Sequence, residues 1–146
     1  FMKQMPQIQK FMTTLPHTIG KDIPLDTALA MMREHRIRHL PVQEAGKLVG
    51  ILTDRDLKLA SSFGDAKKLK VEEVMTPDPY TTAPETPLDQ VVFEMAEHKY
   101  GCAIIQQGNG KVVGIFTAVD GLRVLGETLG SFYKPGLDQG SARSRA

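Results

Sequence analysis

The sequence predicts a mixed α/β (α+β) protein made of two similar β-α-β-β-α units that pack about a pseudo-twofold axis. Two observations lead to this fold class. The chain contains an internal duplication, and each copy combines an apolar stripe at helical spacing with two short apolar runs typical of strands. The 146 residues are enough for one compact module of two small halves, but not for two large domains.

The duplication is visible when the two parts of the chain are compared directly. Between residues 12–42 and 75–105, 10 of 31 positions are identical, including the segments Met-Thr-x-x-Pro and Pro-Leu-Asp. After one inserted residue, "KLVGILTDRD" aligns with "KVVGIFTAVD". The sequence therefore predicts a first repeat at residues 8–62, a connector at 63–74, a second repeat at 75–130 and a C-terminal tail at 131–146.

Each repeat is predicted to begin with an extended segment and an amphipathic helix. In the first repeat Leu25, Leu29 and Met32 recur at i, i+4 and i+7, which is the apolar stripe of a helix packed on one side. Thr86 is expected to be the N-cap of the corresponding helix in the second repeat. The first repeat has Ile23 at this position, which cannot act as a side-chain cap.

The rest of each repeat is predicted to be a β-hairpin followed by a second helix. "HLPVQEAGKLVGIL" and "CAIIQQGNGKVVGIF" each hold two apolar runs around a turn with glycine, which predicts two strands and a loop of about four to six residues. Thr53-x-x-Asp56 and Thr117-x-x-Asp120 follow these hairpins. Both match the capping box that begins a helix.

The position of these two capping boxes also suggests ligand binding. Both boxes follow a strand directly, and ligands of α/β units usually bind at the carboxyl edge of the sheet. The N–H groups and the dipole of a helix N-terminus attract phosphate, and a nearby carboxylate can accept hydrogen bonds from ribose hydroxyls. Gly50 and Gly114, which precede the boxes, are interpreted as sites of close backbone approach or as bulges.

The repeated Met-Thr-x-x-Pro, the Pro-Leu-Asp helix start, "RHLPV" and "GILTDRDL" resemble the tandem CBS (cystathionine β-synthase) domain pair, or Bateman module, in its stand-alone form. The resemblance covers residues 8 to 130. It implies two sheets packed against each other with helices outside, and a homodimeric disc.

In function, the resemblance implies a regulatory sensor that binds an adenosine-containing ligand between the repeats and signals to an effector protein in trans. The expected ligands are AMP, ADP, ATP, S-adenosylmethionine or NAD. The alternative is a dimerisation or protein-interaction module with vestigial clefts. No cofactor is expected to be required.

By the same resemblance, the ribose and phosphate contacts would lie at the helix starts, at Thr53, Asp56, Thr117 and Asp120. Arg38 and Arg55 are candidates for binding phosphate, because uncharged residues replace them in the second repeat. We therefore expect two unequal sites. The backbone beside the adenine would come from Thr18, Ile19, His39, Leu40, Pro41, Thr81, Thr82, Cys102, Ala103 and Ile104.

Other functional classes find less support in the sequence. The 18 Lys and Arg residues balance 17 Asp and Glu residues, so the charge does not indicate a nucleic acid or an anionic membrane as partner. The single cysteine, Cys102, suggests a reducing cytoplasm. No catalytic or metal-ligand grouping has a suitable spacing, so we expect no enzyme activity. His35 and His98 are interpreted as C-terminal helix caps.

Overall fold

The computed structural model describes residues 3–134, and within them the predicted order of elements is present twice. In chain order the elements are a 3-10 helix (Ile8–Lys10), β1 (Thr13–Thr14), β2 (Ile19–Gly20), α1 (Leu25–His35), β3 (His39–Glu44), β4 (Lys47–Thr53), α2 (Asp54–Ser61), α3 (Val71–Val74), β5 (Thr76–Pro77), β6 (Thr81–Thr82), α4 (Leu88–His98), β7 (Cys102–Gln106), β8 (Val112–Thr117) and α5 (Ala118–Tyr133). The predicted tail begins inside α5, and its residues 135–146 lie outside the described residues.

Two four-stranded sheets follow the same plan, and each takes one edge strand from the other repeat. The first sheet has the order β2-β3-β4-β5 and the second has the equivalent order β6-β7-β8-β1. In the first sheet Thr76 of β5 lies opposite Ile51 of β4, and in the second Thr13 of β1 lies opposite Ile115 of β8. The two repeats are thus related by a pseudo-twofold exchange of their first strands.

The exchanged segments also complete the first helix of each half. The segment with α3 lies in the predicted connector, yet Val71 is fully buried in the first half. Its N–H donates to the carbonyl of Ile23, and the N–H of Leu25 donates to the carbonyl of Leu69, both at 2.9 Å. The second half repeats this pattern at 2.8 Å, with Ile8 donating to Thr86 and Leu88 donating to Pro6.

The prediction that Thr86 caps a helix by its side chain is wrong. The N-cap of α4 is Pro87, without a side-chain cap, and Thr86 instead accepts a hydrogen bond from the hydroxyl of Thr82 at 2.6 Å. The first N–H groups of a helix need partners from outside the helix. Here the carbonyl of Pro6, in the exchanged segment, supplies one to Leu88, so no side-chain cap is needed there.

Three apolar clusters fill the molecule. The first lies beneath α1 and α2 and contains Ile19, Leu25, Ala28, Met32, Leu40, Val42, Leu52, Leu57 and Val71. The second lies beneath α4 and contains Ile8, Leu88, Val91, Met95, Ala103, Ile105 and Phe116. The third draws on both sheets and contains Ile51, Cys102, Ile104, Val112 and Ile115. Because side chains alternate along a strand, the sheets pack against each other and the helices cover their outer faces, as predicted.

The first hairpin loop is shorter than predicted. Glu44 pairs with Lys47, which leaves a loop of only Ala45 and Gly46. Both residues have positive φ angles, 50° and 79°, as the primed two-residue turns of hairpins require. The second hairpin has five loop residues, 107–111, within the predicted range.

Gly50 and Gly114 are sites of close approach, but the other repeat makes that approach. A Cβ on Gly50 would lie 2.6 Å from the sulfur of Met75, which precedes β5. It would also lie 2.9 Å from the carbonyl oxygen of Thr76 in β5. A Cβ on Gly114 would overlap the side chain of Met12, next to β1. The paired glycines therefore make room for the exchanged Met-Thr segments.

Gly50→Ala is expected to lower the free energy of unfolding by about 1–3 kcal/mol, because the added methyl group meets backbone as well as a side chain. Urea denaturation followed by circular dichroism measures this change. The matched control is Gly108→Ala, since a Cβ there meets nothing within 4 Å. Equal stability of the two variants would contradict the packing described here.

Candidate functional site

A cleft of about 720 Å³ lies between the two repeats, where α5 begins; we call it the α5 cleft. The first repeat supplies residues 13–17, residues 36–39 and Asp54, and the second supplies Gly101, Ile115, residues 117–120 and Arg123. The first repeat reaches the cleft along β1 and through the turn between α1 and β3. The cleft is therefore composite, because neither repeat supplies its walls alone.

The start of α5 forms the predicted capping box. The hydroxyl of Thr117 accepts from the N–H of Asp120 at 3.2 Å, and Oδ2 of Asp120 accepts from the N–H of Thr117 at 2.9 Å. The N–H of Ala118 donates to the carbonyl of Gly101 at 2.9 Å. Since two of the first three helical N–H groups have these partners, the helix N-terminus offers the N–H of Val119 to a ligand.

The same capping box begins α2 in the first repeat. Thr53 and Asp56 exchange two hydrogen bonds of 3.1 Å each. Both predicted boxes are thus confirmed as helix starts. Their surroundings differ, because only the box of α5 lines the α5 cleft.

The charges of the α5 cleft leave an excess of positive charge on the first-repeat wall. Asp120 forms an ion pair with Arg123 at 3.3 Å, and Asp54 lies 3.8 Å from Lys58. Both carboxylates are thus compensated within their own helices. Arg36 and Arg38 also line the cleft, and neither has an ion-pair partner among residues 3–134. Unpaired arginines in a cleft attract an anion.

His39 contributes an imidazole to the same wall. Burial lowers its pKa from the ordinary value of 6.5, while the negative charge of Asp54 partly opposes the shift. The ring is therefore mostly neutral at pH 7 when no anion is bound. A neighbouring phosphate would favour the protonated form.

His35 and His98 are the last residues of α1 and α4, and their rings make different contacts. His98 Nδ1 lies 3.1 Å from the carbonyl oxygen of Glu94, which confirms the predicted C-terminal cap. The ring of His35 stacks on His17 with 3.7 Å between the ring centroids, so its role as a C-terminal cap stays a prediction. Since His17 lines the cleft, His35 contacts a residue of the cleft wall without lining the cleft itself.

The α5 cleft brings together four of the residues predicted for the site: Arg38, His39, Thr117 and Asp120. The others do not line it. The side chains of Ile19, Leu40, Pro41, Ala103 and Ile104 lie in the buried core, so only their backbone could meet a ligand. Thr18, Thr53, Arg55, Asp56, Thr81, Thr82 and Cys102 also lie outside the lining residues.

Several residues that line the cleft were not predicted from the sequence. Arg36 and His17 come from turns of the first repeat, and Arg123 lies one helical turn after Asp120. An arginine three residues after an aspartate on a helix is a recognisable pair. No local sequence pattern marks His17, because its position depends on the pairing of β1 with the second sheet.

The pseudo-symmetric position at the start of α2 has a different chemistry. Gly101 and Cys102 replace Arg38 and His39. Tyr80 stacks on Tyr100 with a centroid distance of 5.2 Å, at positions equivalent to His17 and Ile37. The two positions therefore differ in charge, and the α5 cleft is the one lined by Arg36 and Arg38 from the turn between α1 and β3.

Other chemistry finds little support in the described part of the chain. Burial raises the pKa of the Cys102 thiol to about 12, so it is not a reactive thiolate at neutral pH. Among residues 3–134, no three His, Cys, Asp or Glu side chains gather as metal ligands. No helix in that range combines the length and apolarity needed to cross a membrane.

The comparisons with known proteins agree on one family. The model of the CBS domain matches residues 8–62 and 71–127. Inosine-5'-monophosphate dehydrogenase of Korarchaeum cryptofilum is 32% identical over 118 residues, which are 81% of this chain and 24% of that enzyme. The CBS domain-containing protein YhcV of Bacillus subtilis is 31% identical over 118 residues, which are 80% of this chain and 83% of YhcV. The chain thus spans about a quarter of the enzyme it matches.

Solved structures show the same fold. The CBS domain pair of protein MJ0100, in complex with 5'-methylthioadenosine and S-adenosyl-L-methionine, has a TM-score of 0.76 and 28% identity, covering 86% of this chain and 99% of that one. CBSX2 in complex with AMP has a TM-score of 0.71 and 27% identity, covering 84% of this chain and 97% of that one.

Proposed function

The chain belongs to the CBS domain family, and we propose that it is a regulatory module that binds an adenine nucleotide in the α5 cleft and signals to an effector protein in trans. The observation that carries the proposal is the composite cleft, which is lined by Asp120 from one repeat and by the unpaired Arg38 from the other. The complexes of MJ0100 and CBSX2 with adenosyl ligands support this ligand class. We propose no catalytic activity for the module itself.

The lining of the cleft suits each part of a nucleotide. The carboxylate of Asp120 would accept from the ribose hydroxyls, while the N–H of Val119 and the dipole of α5 would face phosphate. Arg36 and Arg38 would supply the countercharge across the cleft. The same cations disfavour the positively charged sulfonium of S-adenosylmethionine, so AMP, ADP or ATP is the proposed ligand.

Signalling would follow from the composite walls. A ligand that contacts both repeats favours the arrangement in which the walls stand at the right distance. It shifts the equilibrium only by the difference in its affinity for the two arrangements. We propose that a homodimer of the module presents this change to the effector.

Asp120→Asn is expected to weaken AMP binding about 10- to 100-fold, because hydrogen bonds to a charged acceptor are lost while the side-chain shape is kept. Isothermal calorimetry measures the dissociation constants of AMP, ATP, S-adenosylmethionine and NAD. The matched control is Asp56→Asn, at the equivalent position outside the α5 cleft, which should change the affinity less than about twofold. Failure of the wild type to bind all four compounds would contradict the proposal.

Relative to His39→Gln, the affinity of the wild type for AMP is expected to rise as the pH falls from 8 to 5.5. The free protein holds the pKa of His39 below 6.5, and a bound phosphate raises it, so binding takes up a proton. The affinity rises between the pKa of His39 in the free protein and its pKa in the complex. If the phosphate raises this pKa by about one unit, the affinity rises about tenfold. Calorimetry on wild type and His39→Gln isolates the effect, because both proteins share the titration of AMP itself. Identical pH profiles would contradict a phosphate beside His39.

A second candidate function, a dimerisation or interaction module with vestigial clefts, is favoured by the outer face of α5. Helix α5 has no buried residue. Large apolar side chains recur along it at spacings of three and four residues, at Leu122, Leu125, Leu129 and Phe132. Such a stripe favours packing against another helix.

Leu125→Glu is expected to convert a wild-type dimer into a monomer, because a carboxylate would be buried in the helix contact. Light scattering after gel filtration measures the mass. Thr128→Glu, on the same helix, is the control and should stay dimeric. A wild type that is monomeric would contradict this role of α5, and a dimer that binds no nucleotide would favour the interaction module over the sensor.

A further inference from the structure

We propose that Arg123 is a specificity-determining residue, which makes the α5 cleft select a phosphate-bearing adenine nucleotide over an uncharged or cationic adenosyl compound. The inference rests on the proposed function, since it concerns the same cleft. It adds a residue of the second repeat to Arg36 and Arg38, by which this cleft would distinguish among the adenosyl ligands.

Arg123 compensates the acid that is proposed to hold the ribose. Its Nη1 donates to Oδ1 of Asp120 at 3.3 Å, while Oδ2 accepts from the N–H of Thr117. Both carboxylate oxygens therefore have a partner on the protein. Oδ1 keeps further acceptor capacity for a ribose hydroxyl, because a carboxylate oxygen accepts more than one hydrogen bond.

The charge of Asp120 matters because its side chain is only 19% exposed. Water screens a charge weakly in such a setting. Without a cation beside it, this carboxylate would repel the phosphate of a nucleotide bound in the same cleft. The guanidinium removes that repulsion, and its five N–H donors leave others free for a phosphate oxygen.

The first repeat shows that the fold does not need this arginine. Leu59 occupies the position equivalent to Arg123 and is 61% exposed. The capping box of Asp56 forms there with hydrogen bonds of 3.1 Å all the same. The arginine is thus present only beside the capping box that lines the α5 cleft, which points to a role toward the ligand.

Arg123→Leu, which introduces the residue of the first repeat, tests the proposal. Calorimetry measures the dissociation constants of AMP and adenosine for each protein. The preference of the wild type for AMP over adenosine is expected to fall about fivefold in Arg123→Leu, the size of one partly exposed charge contact. Adenosine itself should bind within about twofold of wild type. Arg123→Lys should keep most of the preference, because it keeps the charge.

The control for net charge is Arg33→Leu, which removes an arginine of α1 that does not line the cleft. An unchanged preference in Arg123→Leu, or an equal loss in Arg33→Leu, would overturn the role of Arg123 while leaving nucleotide binding intact. Thermal denaturation of each variant excludes a folding defect as the cause. If the wild type bound neither AMP nor adenosine, the proposed function would fail, and this inference with it.

Discussion

The reciprocal exchange of the first segment of each repeat is the constraint on which the rest of the structure depends. In each half the exchanged segment adds an edge strand, a buried side chain and a carbonyl partner for the first helix. Val71 serves the first half in this way and Ile8 serves the second. A buried N–H without a partner is costly. Removal of either segment would therefore expose apolar surface and, at the same time, leave the first N–H group of a helix without its partner.

The cleft is a consequence of that exchange. Because β1 pairs with β8 in the second sheet, the chain must cross back to the first sheet before β2. The crossing residues, 15–17, form part of the cleft wall. The remaining wall comes from the strand and helix starts of both repeats. Arg38 and Asp120 thus line one cleft because of the same contacts that hold the two halves together.

Much of the fold could be predicted because its signals are local and occur twice. The helix stripes, the hairpins and both capping boxes depend on residues close in the sequence. The exchange could not be predicted in this way, because the two segments share the pattern Met-Thr-x-x-Pro and either could pair with either sheet. For the same reason the sequence predicts Asp120 and Arg38 as site residues but does not indicate that they share one cleft, nor that His17 lines it. The failed Thr86 cap has the same origin, since its replacement comes from the distant Pro6.

The exchanged edge strands also bear on how such a chain could have arisen. A protein with only one copy of the repeat would lack its own edge strand, and the natural source would be a second molecule, by domain swapping. Fusion of two such copies in tandem would turn an intermolecular swap into an intramolecular one. The unit that folds in the first half would then be residues 15–77, a circular permutation of the unit that is repeated in the sequence.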